Sequence, residues 1–362
     1  MTLSTKLLVL ALSVKNAKLS HLKMLNTQNI EVQEHLNLLG PDLRNASPDM
    51  PTRTVQWQDK ILGANPGYAT PLGMAVVGDS LDLLSALPPN SVNLVVTSPP
   101  YALHFKKAYG NVEKDTYVDW FLPFAKEIYR ILTADGSFVL NIGGSYNKGS
   151  PTKSLYQFHL LIALVEKVGF HLAQDCFWYN PAKMPVPAEW VTIRRIRIKD
   201  SVEYVWWLSK SQNPKASNRR VLKEYSPDML RLAERGRIAT LRPSGHVINE
   251  SWKNAKAQGA IPPNVIESGS DPIPDSMLRM GNNSANDKYT LRCKEKKTII
   301  HPARFPAALP EFFIKLTTEP NDLVVDPFSG SNTTGAVCEK LGRRWKSFEL
   351  DEEYVRGSLY RF

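Results

Sequence analysis

The stretch that most constrains the fold is a strand–turn–helix–strand unit between residues 323 and 349. Leu323–Asp326 is an apolar run that predicts a buried strand, and residues 327–335 form a glycine-containing turn that opens a helix. The helix is expected to end near Gly342, and the strand that follows ends in the acid Glu349. Such a unit predicts an open α/β sheet that binds a nucleoside at the carboxyl ends of its strands, where Glu349 would accept hydrogen bonds from ribose hydroxyls.

The turn of this unit has the chemistry expected for a cofactor that carries an amino group. It lacks the Gly-x-Gly-x-x-Gly fingerprint that binds a pyrophosphate. The acid Asp326 suits a cationic amine better than it suits phosphates. S-adenosylmethionine meets both conditions and is the predicted cofactor. The residues of the turn predicted to bind it are Asp326, Pro327, Phe328, Ser329, Gly330, Ser331 and Thr333.

A second motif follows the apolar run Val92–Val96, where the chain continues as Thr97-Ser98-Pro99-Pro100-Tyr101. Proline fixes φ and has no N–H, so the carbonyls of this turn have few internal donors and can point outward. A flat base with an amino group fits this rim, since its NH2 would donate to Ser98 and to a proline carbonyl while Tyr101 stacks on its face. An ordinary strand-terminating turn is the alternative for this motif taken alone.

Taken together, Ser98-Pro99-Pro100-Tyr101 and the turn beginning at Asp326 resemble the motifs of the amino-methyltransferases that modify DNA bases. The order of the motifs, catalytic before cofactor, is similar to the β class of that family. The serine resembles the cytosine-N4 branch, whereas the adenine-N6 branch more often has Asp or Asn there. The resemblance extends from about Gly73 to Phe362. It implies a Rossmann-like S-adenosylmethionine-dependent methyltransferase sheet with helices on both faces, and transfer of methyl to the N4 amine of a flipped-out cytosine.

The resemblance implies roles for further residues. Asp79, which follows the apolar run 75–77, would lie beside the cofactor adenine, or it would cap the next helix. Phe305 would pack against the methionine end of the cofactor. Many relatives carry an acid at the position of Asn141, which helps to hold the target amine. An asparagine can accept through its carbonyl but cannot take a proton. Trp178 or Tyr179 would form the other side of the base pocket, or belong to the core.

The charge of the chain predicts a polyanionic partner. The formal net charge is +10, and residues 183–260 contain 16 Lys and Arg against 7 Asp and Glu. A solvated basic face is the alternative, but so localised an excess favours phosphate contact. Residues 214–297, which include Arg242-Pro243-Ser244-Gly245-His246, are the predicted target-recognition region. The candidate DNA contacts are Lys106, Lys107, Arg242, His246, Lys253 and Asn264. Resemblance suggests a palindromic target such as CAGCTG.

The predicted domain organisation has three parts. Residues 1–70 form an extension with little regular structure, residues 71–213 and 298–362 form the catalytic and cofactor-binding domain, and residues 214–297 form the recognition region. The apolar run 7–14 imitates the core of a signal peptide but is too short to span a bilayer. We therefore expect a cytoplasmic protein without a membrane association. The resemblance implies that it acts on double-stranded DNA, with a cognate restriction endonuclease as a possible partner that shares the target site but is not bound.

Several functions are disfavoured by composition. The chain has three scattered cysteines, which suit neither a disulfide framework nor a zinc site, so no metal is expected and the cysteines are expected at core or neutral positions. None follows a proline, as the nucleophile of cytosine-C5 methylation does. Two alternatives stay open at this point: an adenine-N6 DNA methyltransferase, and a catalytically silent DNA-binding module that senses S-adenosylmethionine.

Overall fold

The chain is organised around one mixed β-sheet. The computed structural model describes residues 65–102, 110, 112–181, 183–235, 259–266 and 287–362. Within these residues the sheet has nine strands in the order β1-β2-β9-β8-β3-β4-β6-β5-β7. The strands are β1 (Asn65–Ala69), β2 (Gly73–Val77), β3 (Val92–Thr97), β4 (Leu132–Ile142), β5 (His171–Tyr179), β6 (Val202–Ser209), β7 (Val265–Ile266), β8 (Leu323–Asp326) and β9 (Arg344–Glu349).

Helices connect most of these strands. In chain order the α-helices of the described residues are α1 (Ser80–Ser85), α2 (Tyr117–Ile131), α3 (Tyr156–Ala163), α4 (Pro227–Arg235), α5 (Lys288–Lys296), α6 (Ala308–Thr317), α7 (Thr333–Lys340) and α8 (Glu352–Ser358). Helix α3 continues as the π-helical turn Leu164–Val168 and ends at Gly169, which has a φ of 95°. Shorter helical segments are the π-helical Glu189–Ile193 and the 3-10 helices Asn218–Val221 and Leu359–Arg361. No helix in these parts of the chain is long and apolar enough to cross a membrane.

The centre of the sheet is parallel, and its strands are buried on both faces. Strands β2, β9, β8, β3 and β4 pair in parallel, whereas β6 runs antiparallel to both β4 and β5. One face is covered by a core that includes Phe121 and Ile128 of α2. The other is covered by a core that includes Phe313 of α6, Val337 of α7 and Val355 of α8. Apolar side chains on both faces explain why β3 and β8 are nearly continuous hydrophobic runs.

The topology reverses between β3 and β8. From β3 the chain proceeds to β4 on one side, and from β8 it proceeds to β9 on the other. The pair is aligned by Leu94 opposite Val324 and Val95 opposite Val325. A crevice forms outside the carboxyl ends of strands at such a switch point. The two motifs found in the sequence therefore face each other, although more than 200 residues of chain separate them.

Strand β1 corrects the predicted amino-terminal boundary. Residues 65–69 pair antiparallel with β2, so the sheet begins before residue 71. Pro66 and Gly67 in this segment favoured an irregular structure at the level of sequence. Edge strands tolerate proline, however, and the pairing with β2 shifts register between Pro66 and Tyr68. Residues 1–64 lie outside the described part of the chain.

The carboxyl-terminal boundary of the predicted recognition region also shifts. Helix α5 lies within the predicted range 214–297, yet Tyr289 and Cys293 are buried, and the Tyr289 hydroxyl accepts from the His301 backbone N–H at 3.0 Å. This helix therefore packs with the catalytic part of the chain. The three cysteines are free and buried, so they occupy core rather than neutral positions.

Candidate active site

A cavity of about 390 Å³ lies at the carboxyl edge of the sheet, beside the switch point. Both sequence motifs line it, together with residues from the ends of β2, β4, β5, β6 and β9. Its size falls in the usual range for small-molecule sites. The predicted residues that line it are Asp79, Ser98, Pro99, Pro100, Tyr101, Asn141, Trp178, Phe305, Pro327, Phe328, Ser329, Gly330, Ser331, Thr333 and Glu349.

The Ser98–Tyr101 turn is held by hydrogen bonds that leave one proline carbonyl for a ligand. The hydroxyl of Tyr117 in α2 donates to the Pro100 carbonyl at 2.8 Å. Among the described residues no side chain donates to the carbonyl of Pro99, which lines the cavity. The Ser98 hydroxyl lies 3.3 Å from the Tyr101 hydroxyl. The rim therefore offers the Ser98 oxygen and the Pro99 carbonyl as acceptors.

Tyr101 is fixed at both ends of its side chain. Its ring lies against Gly143, where a β carbon would come within 2.5 Å of ring carbon Cε2. Its hydroxyl donates to Glu203 Oε2 at 2.7 Å and lies 3.3 Å from Asn141 Oδ1. Burial, and secondarily the Glu203 carboxylate, hold the pKa of the Tyr101 hydroxyl well above its usual range. The hydroxyl therefore stays protonated and acts as a donor.

Asn141 belongs to the same group of side chains. It is buried at the end of β4, and its Nδ2 donates to the Tyr204 carbonyl at 3.1 Å. This bond directs the amide oxygen toward Tyr101. Asn141 thus lines the cavity with an acceptor oxygen and no capacity to take up a proton, and its part in catalysis stays a prediction.

Glu203 is a cavity residue that the sequence reasoning missed. It is 7% exposed in β6, and its Oε1 lies 3.1 Å from Lys183 Nζ. The available signal was an acid inside an otherwise apolar strand, Val202–Ser209. Burying a carboxylate costs free energy unless the group is paired, so an acid at this position indicates a specific partner or a functional role.

Asp326 lies elsewhere than the sequence predicted. It is 1% exposed and does not line the cavity. Its Oδ1 accepts from the Thr97 hydroxyl at 2.7 Å and from the Phe328 N–H at 3.2 Å, and its Oδ2 accepts from the Thr334 hydroxyl at 2.7 Å. Burial raises its pKa to about 6. Asp326 therefore holds the turn to β3 and α7, because its oxygens are already used within the protein.

The turn after β8 is fixed by contacts from several directions. Gly330 has a φ of 49°, which favours glycine, and its N–H donates to Glu349 Oε2 at 2.8 Å. The Ser80 hydroxyl donates to the Pro327 carbonyl. Arg361, 30 residues later in the chain, donates to the Ser331 hydroxyl at 2.8 Å. The backbone of the turn is therefore set before any ligand binds.

Two carboxylates border the turn. Asp79 caps α1, since its Oδ1 accepts from the Leu81 N–H at 2.7 Å, and it also lines the cavity. Both interpretations of Asp79 are therefore compatible with its position. Glu349, at the end of β9, accepts from Gly330 through Oε2 and from the Asp351 N–H through Oε1 at 3.1 Å. Burial raises the pKa of Glu349.

Aromatic rings form an apolar wall beside these acids. Phe328 packs against Trp120 and Phe124 of α2, with ring centroids 5.9 and 5.2 Å apart. Phe305 and His301 contribute another part of the lining. Burial lowers the pKa of His301 to about 4, so its imidazole is neutral near pH 7.

Comparison with known proteins gives a consistent result. A family model described as DNA methylase matches residues 92–360. The chain is 48% identical over 303 residues to the type II methyltransferase M.PvuII of Proteus hauseri, covering 83% of this chain and 86% of that protein. The solved structure of the PvuII DNA methyltransferase (cytosine-N4-specific) matches with a TM-score of 0.65 and 45% identity, covering 83% and 89% of the two chains. The chain belongs to the DNA methylase family.

A more distant relative extends the match. The methylase is 25% identical to the type II methyltransferase M.SfiI of Streptomyces fimbriatus, covering 88% of this chain and 97% of that protein. The predicted family and the α/β methyltransferase fold are confirmed. The individual site residues stay predictions, supported by their positions around the cavity.

Most of the predicted DNA contacts of the methylase cannot be compared with the structure. Lys106, Lys107, Arg242, His246 and Lys253 lie outside the described residues. Asn264 is described, and its Nδ2 donates to the Asp175 carbonyl at 2.9 Å while its own carbonyl accepts from the Phe177 N–H at 2.9 Å. These bonds attach the residue before β7 to β5, and a base contact by Asn264 stays a prediction.

The two aromatic candidates of the methylase differ in position. Trp178 is 3% exposed and lines the cavity, whereas Tyr179 does not line it. The indole N–H of Trp178 has no hydrogen-bond partner among the described residues. Trp178 therefore remains the candidate for the far side of the base pocket. Within the described ranges no cluster of His, Cys, Asp and Glu could hold a metal ion.

Proposed function

We propose that this methylase transfers a methyl group from S-adenosylmethionine to the N4 amine of a cytosine in duplex DNA. The observation that carries the proposal is that one cavity joins the Ser98–Tyr101 rim to the turn after β8. Donor and acceptor of a methyl group must meet within van der Waals distance, and this topology brings their two predicted binding motifs to one edge. The 48% identity to a type II methyltransferase supports the same conclusion.

The cofactor half of the cavity fits S-adenosylmethionine by its chemistry. Its polar lining includes the carboxylates of Asp79 and Glu349, which suit hydroxyl or amine donors and a cationic ligand. The wall of Trp120, Phe124 and Phe328 is apolar and suits a flat ring. When bound, S-adenosylmethionine supplies an electrophilic methyl group. The predicted cofactor residues that line the cavity are Asp79, Phe305, Pro327, Phe328, Ser329, Gly330, Ser331, Thr333 and Glu349.

The base half of the cavity fits an exocyclic amine. The amine of cytosine is a poor nucleophile because its lone pair is delocalised into the ring. Acceptors at Ser98 Oγ and the Pro99 carbonyl would hold its two hydrogens and leave the lone pair directed at the methyl group. The transfer is then direct, with no covalent intermediate on the protein, and proximity supplies much of the acceleration.

The amine is inaccessible inside a duplex, so the base must leave the stack at a cost of a few kcal/mol. Tyr101 and Trp178 line the cavity and would offset part of that cost by contact with the faces of the base. Basic residues of the chain would contact the DNA phosphates. We further propose that the enzyme acts in the cytoplasm, where its DNA lies, as the modification partner of a restriction endonuclease that shares its site without binding to it.

Transfer of tritium from labelled S-adenosylmethionine to duplex DNA containing CAGCTG, followed by nucleoside analysis, tests the proposal. We expect the label in N4-methylcytosine, and we expect Ser98→Ala to abolish it while cofactor binding persists. Label in N6-methyladenine would overturn the choice of base. A wild-type protein that binds S-adenosylmethionine but labels no DNA would overturn the activity in favour of a silent DNA-binding module.

A further inference from the structure

A chain of hydroxyls leads from the predicted amine site to a buried carboxylate. Ser98 Oγ lies 3.3 Å from the Tyr101 hydroxyl, and that hydroxyl lies 2.7 Å from Glu203 Oε2. All three side chains line the same cavity. They come from three parts of the chain, since Ser98 and Tyr101 follow β3 and Glu203 belongs to β6.

The direction of this chain follows from its chemistry. A carboxylate oxygen accepts, so the Tyr101 hydrogen is donated toward Glu203 Oε2. The competing acceptor, Asn141 Oδ1, is more distant at 3.3 Å. The oxygen of Tyr101 is then free to accept the Ser98 hydrogen. As a result the Ser98 oxygen presents only lone pairs to a ligand, which is what an amine donor needs.

The surroundings of Glu203 keep one of its oxygens for Tyr101. Lys183 Nζ is 3.1 Å from Oε1 and 25% of its side chain is exposed, so the ion pair occupies the other oxygen at the edge of the cavity. Asn141 lies beside Glu203 on neighbouring strands, because Asn141 pairs with Val205 and Glu203 is two residues away on the same face. An asparagine cannot take up a proton. Among the described residues, Asn141 and Glu203 accept from the Tyr101 hydroxyl, and of these Glu203 can take up a proton.

We propose that Glu203 is a positioning residue for methyl transfer, which orients Ser98 through Tyr101 and receives the proton that the target amine loses. This inference rests on the proposed function. The N4–CH3 bond forms as the CH3–S bond breaks, and the sulfur keeps the electron pair as a neutral thioether. The amine proton passes to Ser98, the Ser98 proton to Tyr101, and the Tyr101 proton to Glu203, which becomes a neutral carboxylic acid and later exchanges with solvent.

The test moves the carboxylate from Glu203 in β6 to position 141 in the neighbouring strand β4. Glu203→Gln keeps an acceptor for Tyr101 but removes the proton acceptor, and we expect single-turnover transfer to fall roughly a hundredfold or more. Adding Asn141→Asp places a carboxylate at the atom already 3.3 Å from the Tyr101 hydroxyl. The double variant should regain most of the lost rate. Affinity for S-adenosylmethionine should stay unchanged throughout, because these side chains face the base half of the cavity.

Matched variants separate this role from a structural one. Glu166→Gln, which removes a carboxylate from the exposed surface, should keep the wild-type rate. Tyr101→Phe should lose rate, and combining it with Glu203→Gln should cost little more than the slower single change, since both interrupt one chain. Wild-type transfer in the same assay reports the proposed function independently. An undiminished rate in Glu203→Gln, or no recovery on adding Asn141→Asp, would overturn the role of Glu203.

Discussion

The two halves of the cavity are built in different ways. On the cofactor side, the turn after β8 is fixed by hydrogen bonds to the surrounding protein, because Asp326 and Glu349 accept from its backbone N–H groups and Asp326 also accepts from neighbouring hydroxyls. On the base side, two prolines stiffen the rim, and the reactive groups are side chains brought together from β3, β4 and β6. The difference predicts that changes on the cofactor side weaken cofactor binding as well as stability, whereas changes on the base side slow methyl transfer and leave cofactor affinity unchanged.

Removal of the Asp326 side chain should have the largest effect. Asp326→Ala leaves two hydroxyls and one N–H without their buried acceptor, at roughly 1–2 kcal/mol each. We expect the free energy of unfolding to fall by about 4 kcal/mol and S-adenosylmethionine to bind at least a hundredfold more weakly. Chemical denaturation and calorimetric titration measure the two quantities. A stable variant with normal affinity would show that the turn does not depend on this carboxylate.

The pH dependence of stability should expose the same residue. The pKa of Asp326 is raised from 3.8 to about 6 in the folded protein. Between about pH 4 and pH 6 the folded state therefore holds a proton on this carboxyl that the unfolded state has lost. Its contribution to stability is therefore greatest below about pH 4 and declines as the pH rises through 6. The decline amounts to about 3 kcal/mol. We expect the unfolding free energy of wild type, relative to Asp326→Asn, to fall by about that amount between pH 4 and 7; a constant difference would contradict it.

On the base side, Gly143→Ala should slow the reaction while sparing the cofactor. A β carbon at this position would meet the Tyr101 ring at 2.5 Å, so the ring must move and its hydroxyl must leave Glu203. We expect turnover to fall roughly ten- to hundredfold because Tyr101 no longer orients the rim, which corresponds to an activation barrier higher by about 1.4–2.7 kcal/mol. Single-turnover rates and equilibrium cofactor binding should be measured on the same preparation. A parallel loss of cofactor affinity would break the separation between the two halves.

Tyr117→Phe should have the smallest effect. It removes the hydrogen bond to the Pro100 carbonyl, which is worth about 1 kcal/mol. The prolines already restrict the rim, so we expect turnover to fall only a fewfold with unchanged cofactor affinity. A loss as large as that of Gly143→Ala would show that the rim depends on Tyr117 rather than on proline stiffness.

Local sequence was sufficient for the parts of the site that lie on single elements. The apolar run before Ser98 and the run before Pro327 predicted β3 and β8, and the turn chemistry predicted the cavity lining between Pro327 and Thr333. The boundaries at β1 and α5 were missed because edge pairing and helix docking depend on distant partners. Glu203 was missed for the same reason, since its contact with Tyr101 requires the register between β4 and β6.

Asp326 shows a different limit. Its position at the end of a strand is visible in the sequence, but whether its oxygens face a ligand or the protein depends on Thr97 and Thr334, which belong to separate elements. The local sequence indicated that Asp326 belongs to the turn, but it did not indicate that its carboxylate accepts hydrogen bonds from the protein itself. The role of an acid at the end of a strand therefore stays open until the strand order shows which hydroxyl groups lie beside it.

The buried bond between Thr97 and Asp326 joins the two strand ends from which the two binding motifs begin. The spacing between the starting points of the two motifs is thereby fixed inside the hydrophobic core, below the turns that carry them. The loops above these turns can diverge in length and composition without disturbing the reacting atoms. Changes in the outer parts of those loops can therefore alter contacts with DNA while the ends of β3 and β8 keep their relative positions.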